Sequence, residues 1–168
     1  MFGECIVKYI DILGRKGCNR TAIEFCKLLL SLDPVNDPFG VFLRLDYYAI
    51  RGKEYKLLIN FVKKITTEIY PEEKMASLLI MPNYLFTVPL AKYFDRGGEC
   101  LSSMEMHDAF EQVVSLESNN INDLMDAPAE SLLFLGAVLY PDLIVQLVNK
   151  VGKSQMHMGM KRDDSSGW

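Results

Sequence analysis

Residues 17–34 read Gly17-Cys18-Asn19-Arg20-Thr21-Ala22-Ile23-Glu24-Phe25-Cys26-Lys27-Leu28-Leu29-Leu30-Ser31-Leu32-Asp33-Pro34, and they decide the fold class. At about 100° per residue, Arg20, Glu24, Lys27 and Ser31 fall in one narrow stripe. Ala22, Ile23, Phe25, Cys26, Leu28, Leu29, Leu30 and Leu32 fill the rest of the circumference. A helix apolar over so wide an arc must be packed from two sides. Gly17-Cys18-Asn19 supplies a turn before it, and Asp33-Pro34 with Asp37-Pro38 ends it. Proline disfavours the α region in the residue before it and cannot continue the hydrogen-bond ladder.

Upstream, Ile6, Tyr9, Ile10 and Leu13 recur at helical spacing and stop at Gly14, which makes the N-terminal segment a helical hairpin. Downstream, a second hairpin has Phe39 to Ile50 as one arm, Arg51-Gly52 as the turn, and Lys53 to Ile69 as the other arm, closed by Pro71. In its second arm Leu57, Leu58, Phe61, Val62, Ile65 and Ile69 share a broad apolar face, opposite Lys53, Lys56, Asn60, Lys63, Lys64 and Thr67. A third hairpin runs from Pro82 through Phe94, turns at Arg96-Gly97-Gly98 and returns from Ser103 to Leu116. Ala129 to Tyr140 and Asp142 to Val151 read as two further helices split by Pro141, and their apolar content argues for burial.

No stretch alternates strictly enough to argue for a strand, so the fold class is all-α. Tetratricopeptide repeats recur at about 34 residues, with a small residue early in the second helix, an apolar residue four later, and a closing proline. Ala22, Cys26 and Pro34 stand at those offsets, although Ile10 occupies the place of the usual small residue of the first helix. The expected architecture is a TPR-like α-solenoid of helical hairpin repeats over residues 1–152, with a compact bundle as the alternative. From Gly152 the sequence lacks a periodic apolar face, so residues 153–168 are expected to form a disordered tail.

The bulk composition fits one folded domain: 49% hydrophobic and 24% charged residues among 168. A net charge of −4 offers no global positive field of the kind that drives sequence-independent nucleic-acid binding. The charge is lopsided, with 11 basic against 8 acidic residues (+3) in residues 1–70 and 7 against 14 (−7) in the remainder. Cys5, Cys18, Cys26 and Cys100 form no C-x-x-C pair, and two histidines leave no tetrahedral zinc set. They read as reduced, mostly buried thiols, which points to the cytosol or the nucleus. Met1 to Lys8 lacks the pattern of a signal peptide. The most apolar run, Leu132 to Tyr140, is too short to span a bilayer, so no membrane association is expected.

The string from Gly17 to Pro34, with Asp37-Pro38 after it, resembles the signature block of the transcription factor 25 family. That family is also called ribosome quality control complex subunit 1 or nuclear localized protein 1. Glu54-Tyr55-Lys56-Leu57-Leu58-Ile59 and Met81-Pro82-Asn83-Tyr84-Leu85-Phe86-Thr87-Val88-Pro89-Leu90-Ala91 stand in the same order and at similar spacing as in the family. The resemblance covers roughly residues 6–95, thins beyond Gly97, and returns at Leu132-Leu133 and Tyr140-Pro141. Family members are much longer, so a fragment or reduced homologue is the expectation.

What the resemblance implies is a non-enzymatic scaffold acting on large ribosomal subunits that carry stalled nascent chains. It implies a Listerin-type ubiquitin ligase and the valosin-containing-protein segregase as partners, and assistance to ubiquitination and degradation of the nascent chain. Two alternatives stay open: a generic TPR-like adaptor and a transcriptional repressor. Direct DNA binding is disfavoured, because no basic region leads into a dimerising helix.

No catalytic, cofactor or metal site is read from the residues. The chain has no Gly-rich phosphate loop, no H-E-x-x-H and no G-x-S-x-G. His107-Asp108 is the only local pair resembling acid-base equipment, and neighbours on a helix point in different directions. Cys26 sits in an apolar arc with no basic neighbour to activate it. Met156-His157-Met158-Gly159-Met160 offers soft ligands for monovalent copper, but an unstructured end is the simpler reading. The candidate docking residues are Lys53, Lys56, Lys63 and Lys64, a positive stripe suited to ribosomal RNA or an acidic ligase surface.

Overall fold

The computed structural model describes residues 2–65, 81–99, 101, 102, 105, 107, 108, 111 and 126–160, with side chains to residue 152. Among the described residues there are seven α-helices and no strand. In chain order they are α1 (Phe2–Arg15), α2 (Asn19–Leu32), α3 (Leu45–Gly52), α4 (Tyr55–Lys64), α5 (Pro82–Asp95), α6 (Ala129–Leu139) and α7 (Pro141–Met160). A 3-10 turn, Val41–Leu43, precedes α3. The chain divides into two compact units, Met1–Leu133 and Phe134–Trp168.

In the first unit α1 packs on α2, α2 on α3, α3 on α4, and α5 on both α3 and α4. Helical spacing decides what is buried: Ile6, Ile10 and Leu13 on α1, Leu58 and Val62 on α4 with Ile65 after it, and Tyr84, Val88 and Ala91 on α5. Removing each of the Ile, Leu and Val side chains among these from water stabilises the fold by about 1.5–3 kcal/mol. On α2 the core is Ala22, Ile23, Cys26, Leu29 and Leu30, served by α1 on one side and α3 on the other. Leu28 and Leu32 lie outside it, 43% and 55% exposed. Tyr9 is likewise exposed, packing edge-on against Phe25 with ring centroids 5.0 Å apart.

Three helix ends share one device. At the end of α1, the Cys18 N–H donates to Leu13 O (2.9 Å) and the Gly17 N–H to Gly14 O (3.1 Å). At the end of α3, the Glu54 N–H donates to Ala49 O (2.9 Å) and the Lys53 N–H to Ile50 O (3.1 Å). At the end of α5, the Gly98 N–H donates to Tyr93 O (3.0 Å) and the Gly97 N–H to Phe94 O (3.1 Å). This paired six-to-one and five-to-two bonding satisfies the last helical carbonyls and places one residue in the left-handed region. Gly17 (φ +77°), Lys53 (φ +58°) and Gly97 (φ +89°) take that place.

Several expectations need correction. The first arm of the second hairpin is not one helix from Phe39. Asp37 caps the 3-10 turn, its carboxylate accepting the N–H groups of Val41 and Phe42 at 2.8 Å each, and α3 begins only at Leu45. Lys53 is not on the second arm, because the left-handed residue of that turn is Lys53 and not Gly52. The expected continuation to Ile69 and Pro71 lies outside the described residues. So does most of the arm from Ser103 to Leu116, of which Glu105, His107, Asp108 and Glu111 are helical and exposed. Before it, Ser102 and Glu105 form a reciprocal capping box: the Ser102 N–H donates to Glu105 Oε2 at 2.9 Å and the Glu105 N–H to Ser102 Oγ at 3.4 Å.

In the second unit the expected burial is not found. Phe134, Val138, Leu139, Val145, Leu147, Val148 and Val151 are exposed. Apolar composition argues for a facing element without supplying one. The helix from Pro141 also continues to Met160, through the first eight residues of the expected disordered tail. Lys153, Gln155, Met156 and Met158 cost little in a helix, so the roughly 1 kcal/mol that each of Gly152 and Gly159 costs is the main local penalty there. The remainder of the expected tail, 161–168, lies outside the described residues. No single described helix is long and apolar enough to cross a membrane.

Candidate docking surfaces

Of the four candidate lysines, Lys56, Lys63 and Lys64 lie on α4 and Lys53 in the turn before it, and all four are exposed. Lys56 and Lys63 are seven residues apart and so share a face within about 20°, with Lys64 about 80° round the helix from Lys56. Lys63 is engaged within the chain, its Nζ 3.0 Å from Asp126 Oδ1. The stripe is therefore not a uniform free surface, since Lys63 is held to Asp126.

Lys63 is one of three cations that hold the segment leading into α6. Lys92 Nζ donates to Ala127 O at 2.6 Å, and the Arg96 guanidinium pairs with Glu130. Burial pushes the Lys92 ammonium below its ordinary range. These contacts from α4 and α5 fix the first turn of α6 beside α5. The resulting groove, about 420 Å³, is lined by Phe86, Pro89, Leu90, Tyr93, Ala129 and Leu133, with Glu130 the charged residue in its wall. Sequence reasoning missed it. Its signal was available in α5, whose apolar residues run round the helix: Tyr84, Leu85, Val88 and Ala91 face the core, and Phe86, Leu90 and Tyr93 form a second face.

A second cleft, about 450 Å³, is lined by Arg20, Thr21, Ile23, Glu24, Lys27, Glu54 and Leu57. Its charges pair internally, Arg20 Nε with Glu54 and Lys27 Nζ with Glu24, each at 2.7 Å. The other residues considered for chemistry are placed as follows. Burial raises the Cys26 thiol to about 11, a protonated and unreactive state at neutral pH. Cys5 and Cys18 are exposed, against the expectation of mostly buried thiols, because Cys5 falls off the Ile6–Ile10–Leu13 face and Cys18 sits in a turn. His107 and Asp108 are exposed on helical backbone. Met156 to Met160 belong to the backbone of α7. Among the described residues no cluster of three or more His, Cys, Asp or Glu could hold a metal ion.

Among the described residues, fold and surfaces together define an all-helical protein that carries a set of exposed lysines and an apolar groove. The chain belongs to the TCF25 family: the family model described as transcriptional repressor TCF25 matches residues 2–165. It is 39% identical over 185 residues to the human protein named ribosome quality control complex subunit TCF25, covering 99% of this chain and 26% of that one. The Dictyostelium discoideum protein of the same name is 42% identical over 88 residues, 52% of this chain and 12% of its own length. Ribosome quality control complex subunit 1 of Schizosaccharomyces pombe is 31% identical over 120 residues, 71% of this chain and 17% of its own. The chain thus spans about a quarter or less of the length of these curated relatives. No solved structure matches it.

Proposed function

We propose that this chain is a non-enzymatic scaffold module of a ribosome quality control complex subunit, working in the cytosol or the nucleus. The observation that carries the proposal is the 39% identity, over 99% of the chain, to a human relative bearing that name. In this reading the successive hairpins act as a TPR-like repeat platform. Helices that pack on their sequence neighbours and turns that repeat one bonding pattern support it. The partners are large ribosomal subunits with stalled nascent chains, a Listerin-type ubiquitin ligase and the valosin-containing-protein segregase. The module's contribution to ubiquitination and degradation is to hold these together. Lys53, Lys56 and Lys64 are the proposed docking residues, with Lys63 as a brace to Asp126.

The test is affinity purification of the full-length native protein followed by gradient sedimentation. Co-migration with large ribosomal subunits and the ligase, increasing when translation is stalled, is the expected result. Migration as a free protein under every condition overturns the proposal.

A further inference from the structure

A third cleft, about 370 Å³, is shared by α1 and α3 and lined by Asp11, Gly14, Arg15, Tyr47 and Tyr48. Tyr48 ties the two helices together: it is buried, and its hydroxyl donates to Ile10 O at 3.5 Å. Gly14 makes room for it, since a Cβ at that position would stand 2.7 Å from the Tyr48 ring. Tyr48 in turn supports Tyr47 by an edge-on contact, with ring centroids 5.2 Å apart. Tyr47 is nonetheless 51% exposed, and Arg51 lies over its ring with the guanidinium carbon 5.5 Å from the centroid.

The charge around this ring is positive. Arg44 pairs with Asp11 and so offsets the one carboxylate that lines the cleft. Arg15 and Arg51 are exposed, and neither pairs with a carboxylate among the described residues. An apolar occupant would cover two guanidinium groups without supplying an anion to offset their lost hydration. A simple anion would engage the arginines and leave the ring in water. A nucleotide uses both, because bases stack on tyrosine rings and arginine planes while guanidinium groups pair with phosphate. A duplex keeps its bases stacked on one another, so the strand must be single.

We propose that the Tyr47–Arg51 pair stacks an unpaired base of single-stranded RNA, with Arg15 holding a neighbouring phosphate. The choice of RNA over DNA rests on the ribosome-associated function proposed above, whereas the stacking and the phosphate contact rest on the cleft itself.

The probe is a fluorescein-labelled oligoadenylate of about ten nucleotides, a length that covers one stacking site, read by anisotropy against the 168-residue chain. Tyr47→Ala should weaken binding roughly ten-fold, and Tyr47→Phe, which keeps the ring, should bind as the unchanged chain does. Arg15→Gln should lower the dependence of log affinity on log salt by about 0.7, the value for one phosphate of a single strand. An abasic strand of equal length and an alternating Glu-Tyr peptide of equal charge should both bind more weakly than oligoadenylate. On irradiation a strand carrying 5-iodouracil should cross-link to Tyr47 in the unchanged chain, which decides the matter should a variant misfold. Equal binding of the abasic strand, cross-links confined to α4, or a loss in Tyr47→Phe as large as in Tyr47→Ala overturns the proposal. Equal binding of the peptide would assign the cleft to an acidic protein, and tighter binding of the deoxy strand would assign it to DNA; either overturns the proposal too. Failure here is distinguishable from failure of the wider function, because oligoadenylate binding is measured on the chain alone and ribosomal co-migration on the full-length protein.

Discussion

At φ +58° Lys53 holds a left-handed conformation that costs a side-chain-bearing residue roughly 1–2 kcal/mol, whereas Gly17 and Gly97 hold the same place in their turns without that penalty. Lys53→Gly should therefore raise stability by about 0.5–1 kcal/mol, the relief being reduced by glycine's greater freedom in the unfolded chain. Urea melts of Lys53→Gly beside Lys53→Ala check it, since alanine keeps the penalty and should give no gain. Asp46 shows a different constraint. It is buried between α3 and α5, its Oδ2 3.3 Å from Thr87 Oγ1, and the Thr87 hydroxyl already donates to Asn83 O at 2.7 Å. Burial raises the Asp46 carboxyl above its ordinary value of 3.8. The folded state thus binds this proton more tightly than the unfolded state. Its contribution to stability is complete below the ordinary value and is lost as pH rises through the raised one. Asp46→Asn should remove that limb, so its stability relative to wild type should increase as pH rises from the ordinary value of 3.8 through the raised one. A relative stability that stays constant or declines over that range would mean that Asp46 is better solvated than its position implies.

At the scale of elements, α2 shows what an apolar arc can and cannot announce. Its neighbours on two sides were legible from residues 20–32, but Leu28 is exposed and Leu29 is 2% exposed although both stood in the apolar arc. Leu29→Ala should destabilise by about 2–5 kcal/mol. Leu28→Ala and Lys27→Ala should each change stability by about 0.5 kcal/mol or less. Equal losses at 28 and 29, measured by thermal melts, would mean that α2 is rotated about its axis. Helix identity and the Gly17 and Gly97 turns were readable because 3.6-residue periodicity and glycine act locally. Three other features were hidden because they depend on a side-chain cap, on geometry at one residue, or on partners distant in sequence. The Asp37 cap interrupts the arm after Phe39, Lys53 takes the left-handed place beside an available glycine, and the α5–α6 groove exists only once Lys92 and Arg96 meet residues 127 and 130. The helix beyond residue 152 was misread for another reason, since absence of an apolar face excludes a core but not a helix.

For the whole molecule, a net charge of −4 gives no long-range attraction to an anionic partner, so docking through lysines must act locally, within a Debye length of about 8 Å at physiological salt. The stripe is not uniform, and its test must respect that. Reversing Lys63 would set two carboxylates together at Asp126 and disturb the segment that leads into α6. Lys53→Glu with Lys56→Glu avoids this, because both side chains are exposed and neither belongs to the core. If these lysines neutralise ribosomal phosphates, the double variant placed in the full-length protein should keep its helicity and lose affinity for large ribosomal subunits. Each lysine–phosphate pairing removed should also lower the dependence of log affinity on log salt by about one unit. Sedimentation of wild type and variant at two or more salt concentrations measures both quantities. A weakened variant with an unchanged salt slope would point to an acidic protein surface on the ligase, where counterion release is smaller. Unchanged affinity and slope would return Lys53 and Lys56 to the ordinary solvated surface while leaving family membership intact, because membership rests on the match over residues 2–165 and owes nothing to the stripe.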